Sequence, residues 1–111
     1  MKTRELTGLA LDWAVATITK PGIHGVDSLG KLRCVGDYAS VYSPSTDWSQ
    51  GGPIIEREKI ATRENGDSDE WYACKRWDYY GKFGPTLLIA AMRCYVASKL
   101  GDNVELPEGL N

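Results

Sequence analysis

The stretch Gly84 to Gly101, GPTLLIAAMRCYVASKLG, constrains the fold most. Leu88, Ala91, Met92, Tyr95, Val96 and Lys99 recur at the helical period, so one side of this segment is apolar. Pro85 suits the first helical position and Gly101 the C-terminal stop. The spacing predicts a helix over about 85–100, and a helix with such a face is stable only when other elements cover it. A second pattern of the same kind opens the chain. Thr7 is placed to cap a helix, with Leu6 and Leu11 as a hydrophobic staple. Leu6, Leu9, Ala10, Trp13, Ala14 and Thr17 then recur at helical spacing until Pro21-Gly22, predicting a helix over about 8–19.

The remainder reads as short strands and turns. Residues 21–30 read as loop. Lys31–Val35 and Tyr38–Tyr42 read as a weak hairpin about Gly36-Asp37. Pro53–Ile60 admits two readings: a short helix beginning at Pro53, or an extended run into Thr62. Glu64–Glu70, ENGDSDE, contains the Asn-Gly turn signal. Trp71–Trp77 then alternates, with Trp71, Ala73, Lys75 and Trp77 on one face and Tyr72, Cys74 and Arg76 on the other. Asp78–Gly84 reads as a connection, and 102–111 as a frayed acidic tail. These elements predict an α+β fold, a small antiparallel sheet of about 3–4 strands packed with two amphipathic helices. With 111 residues, one domain spanning 1–111 is expected.

Composition narrows the function. With 42% hydrophobic and 25% charged residues, the chain suits a soluble globular protein. A net charge of -2 argues against generic duplex DNA binding. Neither a signal peptide nor a membrane span is evident, so a cytoplasmic location without membrane association is expected. Cys34, Cys74 and Cys94 are odd in number and widely spaced, which suits reduced thiols. Together with His24 they form a Cys₃His inventory, but the close ligand pairs of a zinc site are missing. No metal or cofactor is therefore expected. His24, in PGIHG, reads as an exposed loop residue, although a Cys–His pair formed in space stays open.

The candidate site is Tyr42–Glu56, YSPSTDWSQGGPIIE, because polar and aromatic residues concentrated in a loop are where binding usually sits. Ser45, Thr46, Gly51 and Gly52 offer hydroxyl and backbone donors for an anion, in a nest or at a helix beginning with Pro53. Trp48 and Tyr80 offer stacking surfaces. Arg57 and Arg76 offer bidentate partners for phosphate. Asp47 is either part of the site or a turn-forming cap. Trp71 and Trp77 read as packing residues, whereas Tyr79-Tyr80 near Lys75 and Arg76 are harder to bury.

Three strings carry a family resemblance: ELTGLALDWAVA, YSPSTDWSQGGPIIERE and GPTLLIAAMRCYVASKLGD. Over residues 5–101 the chain resembles the NinX-like proteins of tailed phages, small accessory proteins encoded near recombination genes. The resemblance implies a phage or prophage origin and a host-cytoplasm location, and it assigns no reaction and no catalytic residue. The leading expectation is therefore a non-catalytic phage protein that binds a nucleotide-like or phosphate-bearing ligand, with sequestration of a host defence signal as one version. A protein–protein module that inhibits or assists a host or phage enzyme is the second expectation. A carboxylate hydrolase using Asp47, Glu56 or Glu58 is the third. The surplus of Trp and Tyr also leads us to expect a homodimer.

Overall fold

The structure, a computed structural model, describes residues 1–20, 24–34, 40–75 and 81–110. Arg76, Trp77, Tyr79, Tyr80 and the Gly36-Asp37 turn lie outside those residues. After a 3-10 turn at Thr3–Glu5, the elements are α1 (Gly8–Thr19), β1 (His24–Val26), β2 (Leu32–Cys34), α2 (Trp48–Glu58), β3 (Ile60–Glu64), β4 (Trp71–Lys75), β5 (Lys82–Gly84) and α3 (Leu87–Leu100). β1 and β2 form a two-stranded antiparallel sheet, and β3, β4 and β5 form a three-stranded one in that order. The arrangement is α+β, as expected, with α3 packed on the larger sheet, α2 against α3 and β3, and α1 against α3 and β2.

Helix α3 is the axis of the core. Leu88, Ala91, Met92, Tyr95 and Val96 are buried as the spacing requires, but so are Ala90, Cys94 and Ala97. The helix buries more than one face because β4 and β5 cover one side while α1 and α2 cover others. Small residues on both α1 (Ala10, Ala14) and α3 (Ala90, Ala91) allow this enclosure, since every one of them is at most 7% exposed. Thr86 caps α3 by accepting from the Ile89 N–H, so Pro85 precedes the helix and does not open it. The cap satisfies a donor that no earlier turn can reach.

Several strands differ from expectation. Leu32–Cys34 pairs with His24–Val26, a segment read as loop. Tyr42 does not pair with β2 as a strand; its N–H donates to the Leu32 carbonyl and its side chain packs against the cluster that holds Leu32 and Cys34. β3 and β4 form the hairpin that Asn65-Gly66 signalled, with Arg63 opposite Tyr72 and Thr62 opposite Ala73. Alternation along β4 places Ala73 in the core, fully buried, and turns Tyr72 and Cys74 to the opposite face. β5 lies in the stretch read as a connection; its three residues are too few for a periodic signal.

The segment after α3, expected to be loose, is tied back at its start. Thr3 donates its N–H to the Asp102 carbonyl and its hydroxyl to the Gly101 carbonyl. Val104 donates to the Met1 carbonyl and is only 7% exposed.

Candidate functional site

Tyr42–Glu56 is not one loop. Its second half is helical from Trp48, so Pro53 lies inside α2 and does not begin it. Asp47 is the N-cap, and its Oδ1 accepts from both the Ser49 N–H (2.9 Å) and the Ser49 hydroxyl (2.6 Å). Pro53 lies six positions after the cap, past the first turn, so α2 gives up one i to i−4 hydrogen bond there. Lys59 closes α2 in a left-handed conformation (φ 54°), and β3 begins at once.

Most of the conspicuous residues here build the segment itself. Tyr42 bonds the Thr19 hydroxyl at 2.6 Å and packs against the core. Pro44 is buried. Gln50 reaches back to the Ser43 N–H and the Val41 carbonyl. Gly51 gives its N–H to the Asp47 carbonyl; a Cβ there would run into the Pro44 carbonyl oxygen and come within 2.7 Å of Leu88. Gly51 therefore serves a close helix approach, and both glycines lie within α2, so their N–H groups do not form an anion nest.

What this construction leaves facing outward is Thr46 and Trp48. The Trp48 ring is 56% exposed, although nothing in α2 packing requires a tryptophan there. It borders a pocket of about 240 Å³ lined by Ser45, Thr46, Trp48, Thr86, Leu87, Leu88 and Ile89. One wall is the turn into α2 and the other is the first turn of α3. Asp47 answers the positive end of α2, but α3 has no acidic residue in its first turn. Its dipole and free N–H groups there remain available to a negative group.

Ser45 is the back of this pocket. Its N–H donates to Asp12 Oδ1 at 2.8 Å. Its hydroxyl lies near the same carboxyl without meeting hydrogen-bond geometry, and it is buried with no partner. Asp12 is 6% exposed, and burial pushes its pKa up to about 6 against the lowering pull of Ser45. Sequence reasoning missed Asp12. The available signal was a carboxylate between Leu11 and the buried Val15 turn of an otherwise apolar helix.

The other expected site residues lie elsewhere. Arg57 is nine residues along α2 from Trp48, about 13 Å at 1.5 Å per residue. Its guanidinium meets Glu58 at 3.2 Å and the Tyr95 hydroxyl at 3.4 Å. Glu58 also takes Lys75 at 3.1 Å and Lys99 at 3.5 Å. Burial alone would raise the Glu58 pKa, but Lys75, Arg57 and Lys99 outweigh it and hold the carboxyl below its ordinary range. Glu58 is thus an ion-pair hub that stays ionised, not a proton donor. Glu56 is exposed. Trp71 packs against the core, as read from sequence. His24 is half-buried, not an exposed loop residue. Its ring lies 4.3 Å from Trp13, it stands opposite Cys34, and both nitrogens are buried without a partner.

A further surface was not anticipated. On the sheet face away from α3, Arg63, Tyr72 and Phe83 line up across three strands. The guanidinium sits 5.0 Å from the Tyr72 ring centroid, and the Tyr72 and Phe83 centroids are also 5.0 Å apart. Among the described residues no cluster of three or more His, Cys, Asp or Glu could hold a metal.

Fold and site together define a small α+β protein with a ligand-sized, aromatic-walled pocket between two helix N-termini. The family model described as Bacteriophage P22, NinX matches residues 2–99, and the chain belongs to that family. No curated protein matches it. Among the described residues no helix is long and apolar enough to cross a membrane.

Proposed function

We propose that this phage protein is a non-catalytic binder, acting in the host cytoplasm, that captures a nucleotide-like ligand in the Trp48 pocket. The base would stack on Trp48, and a phosphate would lie at the first turn of α3, where Thr46 and Thr86 offer hydroxyls. The observation that carries this reading is the half-exposed Trp48 ring facing a helix N-terminus free of acidic side chains. Stacking on an exposed aromatic contributes about 1–3 kcal/mol per base. A phosphate at a helix N-terminus adds further affinity. Sequestration of a signal nucleotide needs no more than this, whereas hydrolysis needs an acid–base pair facing the ligand. Asp12, among the described residues the one carboxyl with a pKa raised into the working range, is sealed behind Ser45.

A thermal-shift screen of mono-, di- and cyclic nucleotides tests the reading. The melting temperature should rise with ligand concentration over Kd, and the ligand should be recovered unaltered after denaturation. Trp48→Ala should remove the response. No shift with any nucleotide overturns the reading, and altered ligand converts it to an enzyme. One observation favours a protein partner as the second reading: the Arg63–Tyr72–Phe83 row carries the residue types that dominate interface hot spots. A host-protein pulldown lost in Phe83→Ser but kept in Trp48→Ala would select it.

A further inference from the structure

A cleft of about 270 Å³ opens beyond the C-terminal end of α3, lined by Lys2, Arg4, Lys82, Asp102 and Asn103. It is separate from the Trp48 pocket, which lies at the first turn of the same 14-residue helix, about 20 Å away along its axis. Three chain segments meet here and are stapled together. Lys2 bridges Asn103, and Thr3 bonds the Gly101 and Asp102 carbonyls.

The charges in the cleft are unbalanced. Among the described residues, three cations share one carboxylate in a chain whose net charge is -2. Lys82 contacts Asp102 at 3.5 Å, a loose pair, with the lysine side chain 15% exposed and the aspartate 70% exposed. A cation so withdrawn from water gains little from a carboxylate that stays largely hydrated. Cations also gather at a helix C-terminus to meet its dipole. Here Thr3 answers the carbonyls of the C-cap Gly101 and of Asp102, and Lys2 and Arg4 form no ion pair among the described residues. Its described walls are charged and polar and carry no aromatic side chain, so it fits a phosphate group better than a base.

We propose that this cleft is a second binding site, for the phosphate chain of a di- or triphosphate, which displaces Asp102 from Lys82. Lys82 and Arg4 bind the phosphates, Arg4 in bidentate fashion. Asp102 is a competitor for Lys82, so it works against binding. The site predicts effects of opposite sign for two neighbouring substitutions.

The test is a two-dimensional NMR titration of the full chain with pyrophosphate, against sodium chloride at matched ionic strength. Saturable shifts at residues 2–4, 82 and 102–104, separate from any at the Trp48 pocket, are expected. Lys82→Gln and Arg4→Gln should each weaken binding about tenfold or more, and Asp102→Asn should tighten it several-fold. Amide dispersion reports whether each variant is folded, and exposed Arg4 keeps the test alive if Lys82→Gln is not. Equal affinity for pyrophosphate and ATP assigns recognition to the phosphate chain, and tighter ATP binding adds a base contact. Shifts reproduced by chloride, or an Asp102→Asn variant that binds no more tightly, overturn the proposal.

Discussion

Asp12 shows what one buried group does. Its folded pKa of about 6 lies above its ordinary value of 3.8. Between those values the folded chain holds a proton that the unfolded chain has released, so this group's contribution to stability falls as pH rises through the window. The shift of about two units corresponds to roughly 3 kcal/mol lost at neutral pH relative to below about pH 4. Asp12→Asn keeps an acceptor for the Ser45 N–H and offers the unpartnered Ser45 hydroxyl a donor. Urea denaturation at about pH 4, 5, 6 and 7 should show the variant gaining on the native chain as pH rises, by about 1–3 kcal/mol at pH 7. A difference that does not change with pH would refute the buried-carboxylate account.

Helix α2 is the element where local rules and packing disagree. Gly51 and Gly52 are adjacent in a helix, and propensity alone says that alanine stabilises either by roughly 0.5–1 kcal/mol. Packing separates them. At Gly52 the nearest atom to a new Cβ is on Trp48, 3.9 Å away, whereas at Gly51 Leu88 lies within 2.7 Å and the Pro44 carbonyl closer still. Gly52→Ala should therefore stabilise by about 0.5 kcal/mol, and Gly51→Ala should destabilise by about 1–3 kcal/mol, both read by chemical denaturation. Helix α2 was only half legible in the sequence. Asp47 as a cap was readable from its Ser-Thr-Asp setting, but Pro53 suggested a start one and a half turns too late. Proline is favoured at a first turn wherever that turn begins, so it marks a region and not a residue.

At the scale of the molecule, the two ends close the core. Val104 is buried, Leu106 packs against the main cluster, and Thr3 bonds across to Asp102. Removal of residues 107–111 should change stability by less than about 0.5 kcal/mol. Removal of residues 102–111 should cost on the order of 3 kcal/mol, from one buried valine and the lost hydrogen bonds. Equal melting temperatures for the two truncations would contradict this closure. The acidic composition of the tail hid it, because Val104 and Leu106 alternate with acidic residues over a run too short for a periodic signal. The candidate site was legible to a similar degree. Ser45, Thr46 and Trp48 meet at one pocket, while Arg57 joins the Glu58 ion pairs elsewhere, since sequence proximity across a helix says little about which face a side chain takes.

The sequence by itself determined the α+β class, helices α1 and α3, the Asn65-Gly66 hairpin, the inward face of β4 and the family. Each rests on a repeating period or a fixed turn residue, which are local properties. Only the tertiary structure decided that β1 pairs with β2, that α3 is enclosed on several sides, and that Asp12 stands behind Ser45. It alone brought Lys2, Lys82 and Asp102 together from both ends of the chain. Those arrangements depend on which surfaces meet, and no local pattern encodes a contact made across a hundred residues.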